Sequence, residues 1–199
     1  MTVKIEASPD ATPLDIMRAV ALQDPDPDRR WEVIGDTLVL MPSPKGRHGR
    51  TQGRMYGRID FSYGIGMDDP EEGWIFVTVP DFKDVVGRSG IARPKIPDLA
   101  GWRPGCYVEN EEGYAVVAPD WVCEILSPAT AERDKGPKAE DYADLGIEWY
   151  WLVDLDARTL EVRHLDDTRY GVHAVHDLDR PFAADPFQEA PFDPRDFPR

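Results

Sequence analysis

One carboxylate of this sequence stands where a lone charge is costly. Glu124 interrupts the apolar run from residue 121 to residue 126, a pattern typical of a buried strand. An ionised carboxylate that is buried without a partner costs several kcal/mol, so Glu124 needs a cation, a proton or a dense set of hydrogen bonds. A second acid, Asp98, follows Pro97 and is also flanked by strand-like apolar residues.

This pair of acids predicts a metal centre. Carboxylate, carbonyl and water oxygens are the ligands that Mg²⁺ prefers, and two acids on neighbouring strands can share such an ion. The backbone carbonyl of Ile125, next to Glu124, could supply a third oxygen. We therefore expect Asp98, Glu124 and the Ile125 carbonyl to bind Mg²⁺, with Mn²⁺ as a substitute.

A lysine, Lys138, follows the second acid, Glu124, in the sequence. Lys138 lies in the first turn of the helix predicted after the Glu124 strand, so its side chain can fold back toward the strand end. A bound metal acidifies water and stabilises charge on a phosphoryl oxygen, while a nearby ammonium orients that water or neutralises the developing charge. We expect Asp98, Glu124 and Lys138 to be the catalytic residues.

The two acids also have plainer structural explanations. Asp98 could be a strand-end acid that backbone amides satisfy. Glu124 could form a buried ion pair with an arginine, for instance Arg93 or Arg133. A pair of carboxylates could also hydrolyse a sugar, although that chemistry leaves Lys138 without a role.

The residues around Lys138 have alternatives of the same kind. Lys138 itself could pair with Asp134 or Asp141 on a helix surface. Asp134 could cap the helix entry or orient Lys138. Tyr142, one turn after Lys138, is a candidate for a core position or for a hydrogen bond that supports the site.

Two residues nearer the N-terminus could line the same cleft. Glu32 and His48 are candidates for a further metal or water contact, although a lone histidine near a helix start is more often a capping or surface residue. The segment that contains His48 is basic and has no acid. Its candidate phosphate contacts are Lys45, Arg47, Arg50, Arg54 and Arg58. A solvated helix face balanced by acids elsewhere explains the same residues, and the adjacent row of Gly49, Gly53 and Gly57 could pack on the sheet or on a second copy of the helix.

Composition sets the broad class. The 199 residues carry a formal net charge of −15, which favours solubility and disfavours a surface that coats nucleic acid generally. The two cysteines are too few for a disulfide framework and are typical of a cytoplasmic protein. No apolar run reaches the about 18 residues of a membrane span, so we expect no membrane partner. Residues 1–199 are predicted to form one domain.

The element pattern predicts an α/β fold, in the α+β sense of a mixed sheet with helices flanking it. The core is expected over about residues 12–178, and residues 179–199, rich in Pro, Asp and Phe, are expected to run extended along the body. Helices are predicted from Thr12, from Gly46 to about Phe61, and from Gly136 through Leu145. Strands are predicted at residues 31–34, 37–41, 74–79, 96–102, 121–126, 148–153 and 159–164, with minor strands at 114–117 and 170–175.

Several of these motifs, in this order, resemble the Uma family of "putative restriction endonucleases", which belongs to the PD-(D/E)XK nuclease superfamily. The resemblance covers roughly residues 12–178. It is carried by Trp31-Glu32-Val33-Ile34-Gly35-Asp36, Met41-Pro42-Ser43-Pro44, His48, Pro97-Asp98, the run from Trp121 to Thr130, Asp134, Lys138, Tyr142, Gly146 and the run from Glu148 to Asp154.

The resemblance implies a restriction-endonuclease-like core and a magnesium-dependent endonuclease that cuts DNA. Asp98 and Glu124 would be its metal ligands and Lys138 its lysine. In the usual superfamily pattern the lysine lies two residues after the second acid, where this chain has Leu126, so Lys138 is a displaced lysine on the following helix. Because cutting a duplex needs two centres, a homodimer is expected. The alternative is an inactive protein of the same fold that binds nucleic acid or a protein partner.

Overall fold

The computed structural model describes residues 11–12, 15–17, 19–20, 30–35, 37–41, 46–64, 72–82 and 85–199. Within these ranges the strands are β1 (Trp31–Ile34), β2 (Thr37–Leu40), β3 (Ile75–Thr78), β4 (Leu99–Trp102), β5 (Trp121–Ile125), β6 (Trp149–Asp154), β7 (Thr159–Asp166), β8 (Arg169–Asp177), β9 (Phe182–Ala184) and β10 (Phe187–Phe192). The helices are α1 (Gly46–Tyr63), α2 (Ala131–Lys135) and α3 (Pro137–Asp144), and a 3-10 helix spans Pro194–Asp196.

A six-stranded mixed sheet forms the centre of the fold, in the order β3-β4-β5-β6-β7-β8. β5 and β6 are parallel, and every other neighbouring pair in this sheet is antiparallel. Parallel neighbours need a crossover connection, which α2 and α3 supply between β5 and β6. The prediction of an α/β fold with helices against a mixed sheet is confirmed.

Alternation along β5 sends its side chains to two different cores. Trp121, Cys123 and Ile125 join the cluster that contains α1 and the β9–β10 hairpin. Val122 joins the opposite cluster, which contains α3. Because side chains alternate along a strand, Glu124 lies on the same face as Val122 and points toward α3.

The register of β4 against β5 brings the two acids to one end of the sheet. Leu99 pairs with Cys123 and Ala100 with Val122 in antiparallel register. Continuing this register by one residue sets Asp98, which directly precedes β4, beside Glu124. The two predicted metal ligands are therefore neighbours across two central strands.

A separate hairpin carries the N-terminal acid. β1 and β2 pair antiparallel through a turn in which Gly35 has a φ of +56°, a conformation that glycine adopts without steric cost. Trp31 and Val33 pack with Met17 and Val20 in a small cluster of their own. The predicted first helix lies partly outside the described residues, and 15–17 and 19–20 are helical.

The prediction that the C-terminal segment runs extended along the body is wrong. Residues 182–192 form the β9–β10 hairpin instead. The aromatic rings of Phe187, Phe192 and Phe197 are buried in the same core as α1. The aromatic residues of this segment therefore complete the main core, because burying three phenylalanine rings stabilises far more than laying them on the surface.

Two smaller elements also differ from the prediction. Residues 114–117 form no strand, and Ala115 makes a single bridge to Glu109. The short helix α2 was not predicted, and Gly136 separates it from α3. No helix among the described residues is long and apolar enough to cross a membrane.

Candidate active site at the ends of strands β4 and β5

Glu124 and Lys138 form a buried ion pair. Lys138 Nζ lies 2.7 Å from Glu124 Oε1, and the Lys138 side chain is completely buried. Tyr142, one helical turn later, donates a hydrogen bond of 2.6 Å from its hydroxyl to the same Glu124 oxygen. The cation beside Glu124 is therefore Lys138, and the alternative pairing with Arg93 or Arg133 is wrong.

Glu32 closes the other side of the ammonium group. Its Oε1 lies 3.0 Å from Lys138 Nζ and accepts a hydrogen bond of 3.1 Å from the Ile96 amide. The Glu32 side chain is fully inaccessible, and its Oε2 has no hydrogen-bond partner among the described residues. Lys138 is thus held between two carboxylates, and the alternative of a surface lysine is wrong.

The pKa values of this cluster follow from burial and from the charges packed beside one another. Burial raises the pKa of Glu124 well above its usual range, and the neighbouring carboxylates Asp98, Asp134 and Glu32 raise it further, while Lys138 lowers it. Burial lowers the pKa of Lys138, but attraction to Glu124 and Glu32 outweighs burial and raises it. Lys138 therefore stays protonated, whereas burial and the neighbouring carboxylates make Glu124 harder to ionise.

Asp98 lies beside this cluster and has contacts of its own. Its Oδ2 accepts a hydrogen bond of 2.7 Å from the Ile125 amide and lies 3.0 Å from His48 Nε2. The side chain of Gln52 donates a hydrogen bond of 2.6 Å to the Asp98 carbonyl. The hydrogen bond from the Ile125 amide agrees with the alternative in which backbone amides satisfy a strand-end acid. That alternative does not account for the contact with His48.

His48 contacts Asp98 and its pKa is changed by that contact. Burial lowers its pKa, but the hydrogen bond and charge of Asp98, with a smaller contribution from the Ile125 backbone, outweigh burial and raise it. The side chain keeps 19% of its surface exposed. His48 therefore faces the site from the first turn of α1, rather than capping that helix or facing solvent.

Asp134 does not cap α3. The residue lies inside α2 and is buried, and the N-cap of α3 is Gly136. Burial raises the pKa of Asp134, whereas attraction to Lys138 lowers it. The charge of Asp134 contributes to the raised pKa of Lys138, and the role of orienting Lys138 stays a prediction.

The described carboxylates offer the oxygen atoms that a divalent cation prefers, but they are not assembled into one metal position. Among the described residues no group of three or more His, Cys, Asp or Glu side chains is already arranged around one metal position. Among the same residues, the buried oxygens Glu32 Oε2 and Asp134 Oδ1 have no hydrogen-bond partner, although Asp134 Oδ1 lies 3.6 Å from Arg133 Nε. Carboxylate oxygens near a single buried ammonium match the hard ligands that Mg²⁺ and Mn²⁺ take.

Comparison with known proteins gives the family of this chain. The model of the Uma2 family, described as "Putative restriction endonuclease", matches residues 19–191. The chain belongs to the Uma2 family. Membership in this family supports a nuclease function.

A solved structure shares the fold of this Uma2 chain. It is the crystal structure of "a putative nuclease belonging to DUF820" from Anabaena variabilis, with a TM-score of 0.66 and 20% sequence identity. The alignment covers 88% of the Uma2 chain and 93% of the other chain. No curated protein matches the sequence.

A second buried lysine of the Uma2 chain escaped the sequence analysis. Lys95 is completely buried and lies 2.9 Å from Asp141 Oδ2, and it also donates to the Val33 carbonyl. The same Asp141 oxygen accepts a hydrogen bond of 2.9 Å from the Gly35 amide. These contacts hold the β1–β2 hairpin against α3, and so hold Glu32 against Lys138. The sequence signal for a buried structural lysine here is that Lys95 stands directly before the apolar residue Ile96.

Two arginines of the basic segment of α1 pair with acids, while Arg50 is exposed. Arg47 pairs with Asp156, and Arg58 NH2 lies 3.1 Å from Asp196 Oδ2. Arg54 donates to the carbonyl of Arg195. These contacts favour a solvated helix face over a row of free phosphate contacts, and Lys45 lies outside the described residues.

The glycine row of α1 does not pack on the sheet. Gly49, Gly53 and Gly57 are exposed, and a Cβ atom built on any of them would meet no atom within 4 Å. The buried face of α1 consists instead of Thr51, Gln52, Met55 and Ile59.

Proposed function

We propose that this Uma2 protein is a magnesium-dependent endonuclease of the PD-(D/E)XK type that hydrolyses phosphodiester bonds in DNA. The observation that carries the proposal is the buried pair of Glu124 and Lys138, with Asp98 directly before the adjoining strand β4. A lysine and two acids at the ends of central strands are the residues that such chemistry needs. Family membership supports the nuclease class.

Asp98, Glu124 and the backbone carbonyl of Ile125 would hold the ion. Mg²⁺, when bound, would acidify a water molecule and neutralise charge on a phosphoryl oxygen, and Mn²⁺ would serve as a substitute. Asp98 is already oriented by the Ile125 amide and by His48. These contacts hold its carboxylate at the strand end before any ligand arrives.

Lys138 supplies the positive charge that the reaction needs on the protein side. Glu124 and Glu32 keep it protonated, so its ammonium can stabilise charge that develops on a phosphate or orient the attacking water. Tyr142 fixes the Glu124 carboxylate through its hydroxyl group. Asp134 adds charge that favours the protonated lysine.

Calorimetric titration with Mg²⁺ and Mn²⁺, followed by a plasmid-nicking assay, tests the proposal. The parent protein should bind the ions and nick DNA, and Glu124→Gln should lose both properties. Glu140→Gln is the matched control, because Glu140 is exposed on the same helix as Lys138. Nicking that survives Glu124→Gln would refute the metal-ligand assignment.

A second candidate is a protein of this fold that binds nucleic acid or a protein partner without cutting. The observation in its favour is the closure of the centre, since the side chains of Lys138 and Glu124 are 0% and 5% exposed. A parent protein that binds DNA without nicking it, with affinity retained in Asp98→Asn, would support this candidate over the endonuclease.

The proposal includes a homodimer in the cytoplasm. The dimer is proposed because cutting both strands of a duplex needs two centres. The cytoplasm is proposed because both cysteines, Cys106 and Cys123, are free thiols, as is usual in a reducing compartment. Sedimentation equilibrium of the full chain with and without duplex DNA tests the dimer. A monomer under both conditions would restrict the activity to nicking one strand.

A further inference from the structure

We propose that Arg133 binds a backbone phosphate of the nucleic acid at the edge of this centre. The inference rests on the proposed function, because it concerns the substrate of the same site. It adds a substrate-binding residue to the two acids and the lysine already described.

Arg133 is a partly buried cation without a strong partner. Its side chain is 20% exposed, and its buried Nε has no hydrogen-bond partner among the described residues. Its NH2 group donates to Met41 Sδ over 3.9 Å, and a thioether sulfur is a weak acceptor. Asp134 Oδ1 lies 3.6 Å from Nε, which is too far for a good hydrogen bond. The guanidinium group therefore has N–H donors that no oxygen of the described residues accepts.

The other partly buried arginines of the described chain each hydrogen-bond to a carboxylate. These pairs are Arg47 with Asp156, Arg93 with Asp144, Arg103 with Asp120, Arg158 with Asp179 and Arg163 with Glu161. Withholding donors from water without giving them an acceptor is destabilising. An anion that binds Arg133 would remove that cost, and the other five guanidinium groups offer no such gain.

Arg133 lies between two elements that enclose the centre. It belongs to α2, which follows β5, and its side chain reaches Met41, the residue directly after β2. The hairpin of β1 and β2 is the element that brings Glu32 to 3.0 Å from Lys138. Asp134, the next residue along α2, is close enough to Lys138 for their charges to attract. The guanidinium group is thus at the rim of the site that holds Lys138.

A phosphate can reach Arg133 from solvent without entering the closed centre. The side chain of Lys138 is completely buried, whereas a fifth of the Arg133 side chain is exposed. The chain carries a formal net charge of −15, so a polyanion needs a local cation at the site where it binds. A planar guanidinium group can bind two phosphate oxygens at once, which an ammonium group cannot. We therefore expect Arg133 to supply affinity for the phosphodiester backbone.

The alternative is a structural role, in which Arg133 holds the end of the hairpin against α2 through Met41. Fluorescence anisotropy of a labelled duplex oligonucleotide with the full-length protein separates the two roles. The titrations are run over a range of KCl concentrations, in EDTA and in Ca²⁺, an ion that binds carboxylates.

Arg133→Gln should bind the duplex about tenfold more weakly, because one charge-assisted contact is lost. The slope of log association constant against log salt should become shallower by about one. Arg169→Gln is the matched control, because it removes the same charge from an exposed residue at the end of the sheet opposite Glu124. Its affinity should stay within about twofold of the parent, because salt screens a charge at that distance.

Two further variants separate phosphate binding from a structural contact. Arg133→Lys should restore the salt slope but only part of the affinity, because lysine keeps the charge and lacks the planar fork. Met41→Leu should bind DNA like the parent, because the sulfur contact is not the one that matters. Equal weakening in Met41→Leu and Arg133→Gln would overturn the inference in favour of the structural role.

Kinetics of a parent that nicks DNA adds a second readout. Arg133→Gln should raise KM and leave kcat nearly unchanged, as expected for a contact made equally in the ground state and the transition state. An equal fall in kcat and in kcat/KM would overturn the assignment of Arg133 to substrate binding.

The outcomes also separate this inference from the proposed function. Equal DNA affinity and salt slope in the parent and in Arg133→Gln would overturn the inference and leave the endonuclease standing. DNA binding that depends on Arg133, without nicking, would uphold the inference and refute the endonuclease. A parent that binds no DNA in either buffer would overturn both.

Discussion

Glu32 Oε1 lies 3.0 Å from Lys138 Nζ, although the two residues come from an N-terminal hairpin and from a helix that follows the fifth strand. The contact makes the hairpin part of the candidate active site. It also means that Lys138 is positioned by two carboxylates, Glu32 and Glu124, from separate elements.

Lys138→Met should destabilise the protein as well as abolish nicking. Removing the ammonium leaves Glu124 and Glu32 buried without their cation, and breaking a buried ion pair costs about 3 to 5 kcal/mol. The free energy of unfolding from urea titration measures the loss. Lys135→Met is the control, because the Lys135 side chain is 43% exposed and its Nζ lies 3.8 Å from Asp154 Oδ2. Equal losses in both variants would contradict the buried pair.

Asp141→Asn should loosen the hairpin that carries Glu32. The substitution removes the charge that Lys95 meets inside the protein, and a buried unpaired lysine costs about 3 to 5 kcal/mol. Hydrogen exchange should show faster exchange at the β1 and β2 amides than at those of β6. Stability and exchange that match the parent would show that the Lys95 contact does not hold the hairpin.

The acid limb of the stability curve should depend on Asp144. Burial raises the pKa of Asp144, but hydrogen bonds from Ser89 and the charge of Arg93 outweigh burial and lower it. Because the folded pKa lies below the unfolded value, the stabilisation is complete above the unfolded pKa of about 3.9 and is lost as pH falls through the folded pKa.

Asp144→Asn should therefore lower the free energy of unfolding at pH 6 and flatten its fall below about pH 4. Urea titrations at several pH values, from pH 6 down to well below about pH 4, measure both effects. The exposed Asp166→Asn is the control. A parallel acid limb in parent and Asp144→Asn would refute the assignment.

Phe187→Ala should cost about 3 to 5 kcal/mol of stability, because the ring is fully buried and large-to-small changes leave a cavity. Phe187 packs edge-on against Trp121 and Tyr63, so the loss would reach the central sheet. Thermal or urea unfolding measures the cost. Val172→Ala, which removes an exposed side chain from β8, should change stability little. A small effect at Phe187 would show that the C-terminal hairpin is peripheral.

Local pattern predicted the elements that this fold uses. The hairpin of β1 and β2, the long helix from Gly46, the strand of Glu124 and the hairpin of β6 and β7 follow from apolar periodicity and turn residues. The C-terminal hairpin escaped because Pro and Asp interrupt its pattern, and its aromatic residues are buried by contacts with distant parts of the chain.

The sequence by itself determined that Glu124 needs a partner, because apolar neighbours on both sides leave a carboxylate no access to water. It also determined which acids and which lysine were candidates. Only the tertiary structure decided that the partner is Lys138, that Glu32 shares it, and that Lys95 and Asp141 hold the hairpin in place. The reason is physical: a side-chain contact depends on strand register and helix docking, which are set by packing across the whole core and not by the residues next in sequence.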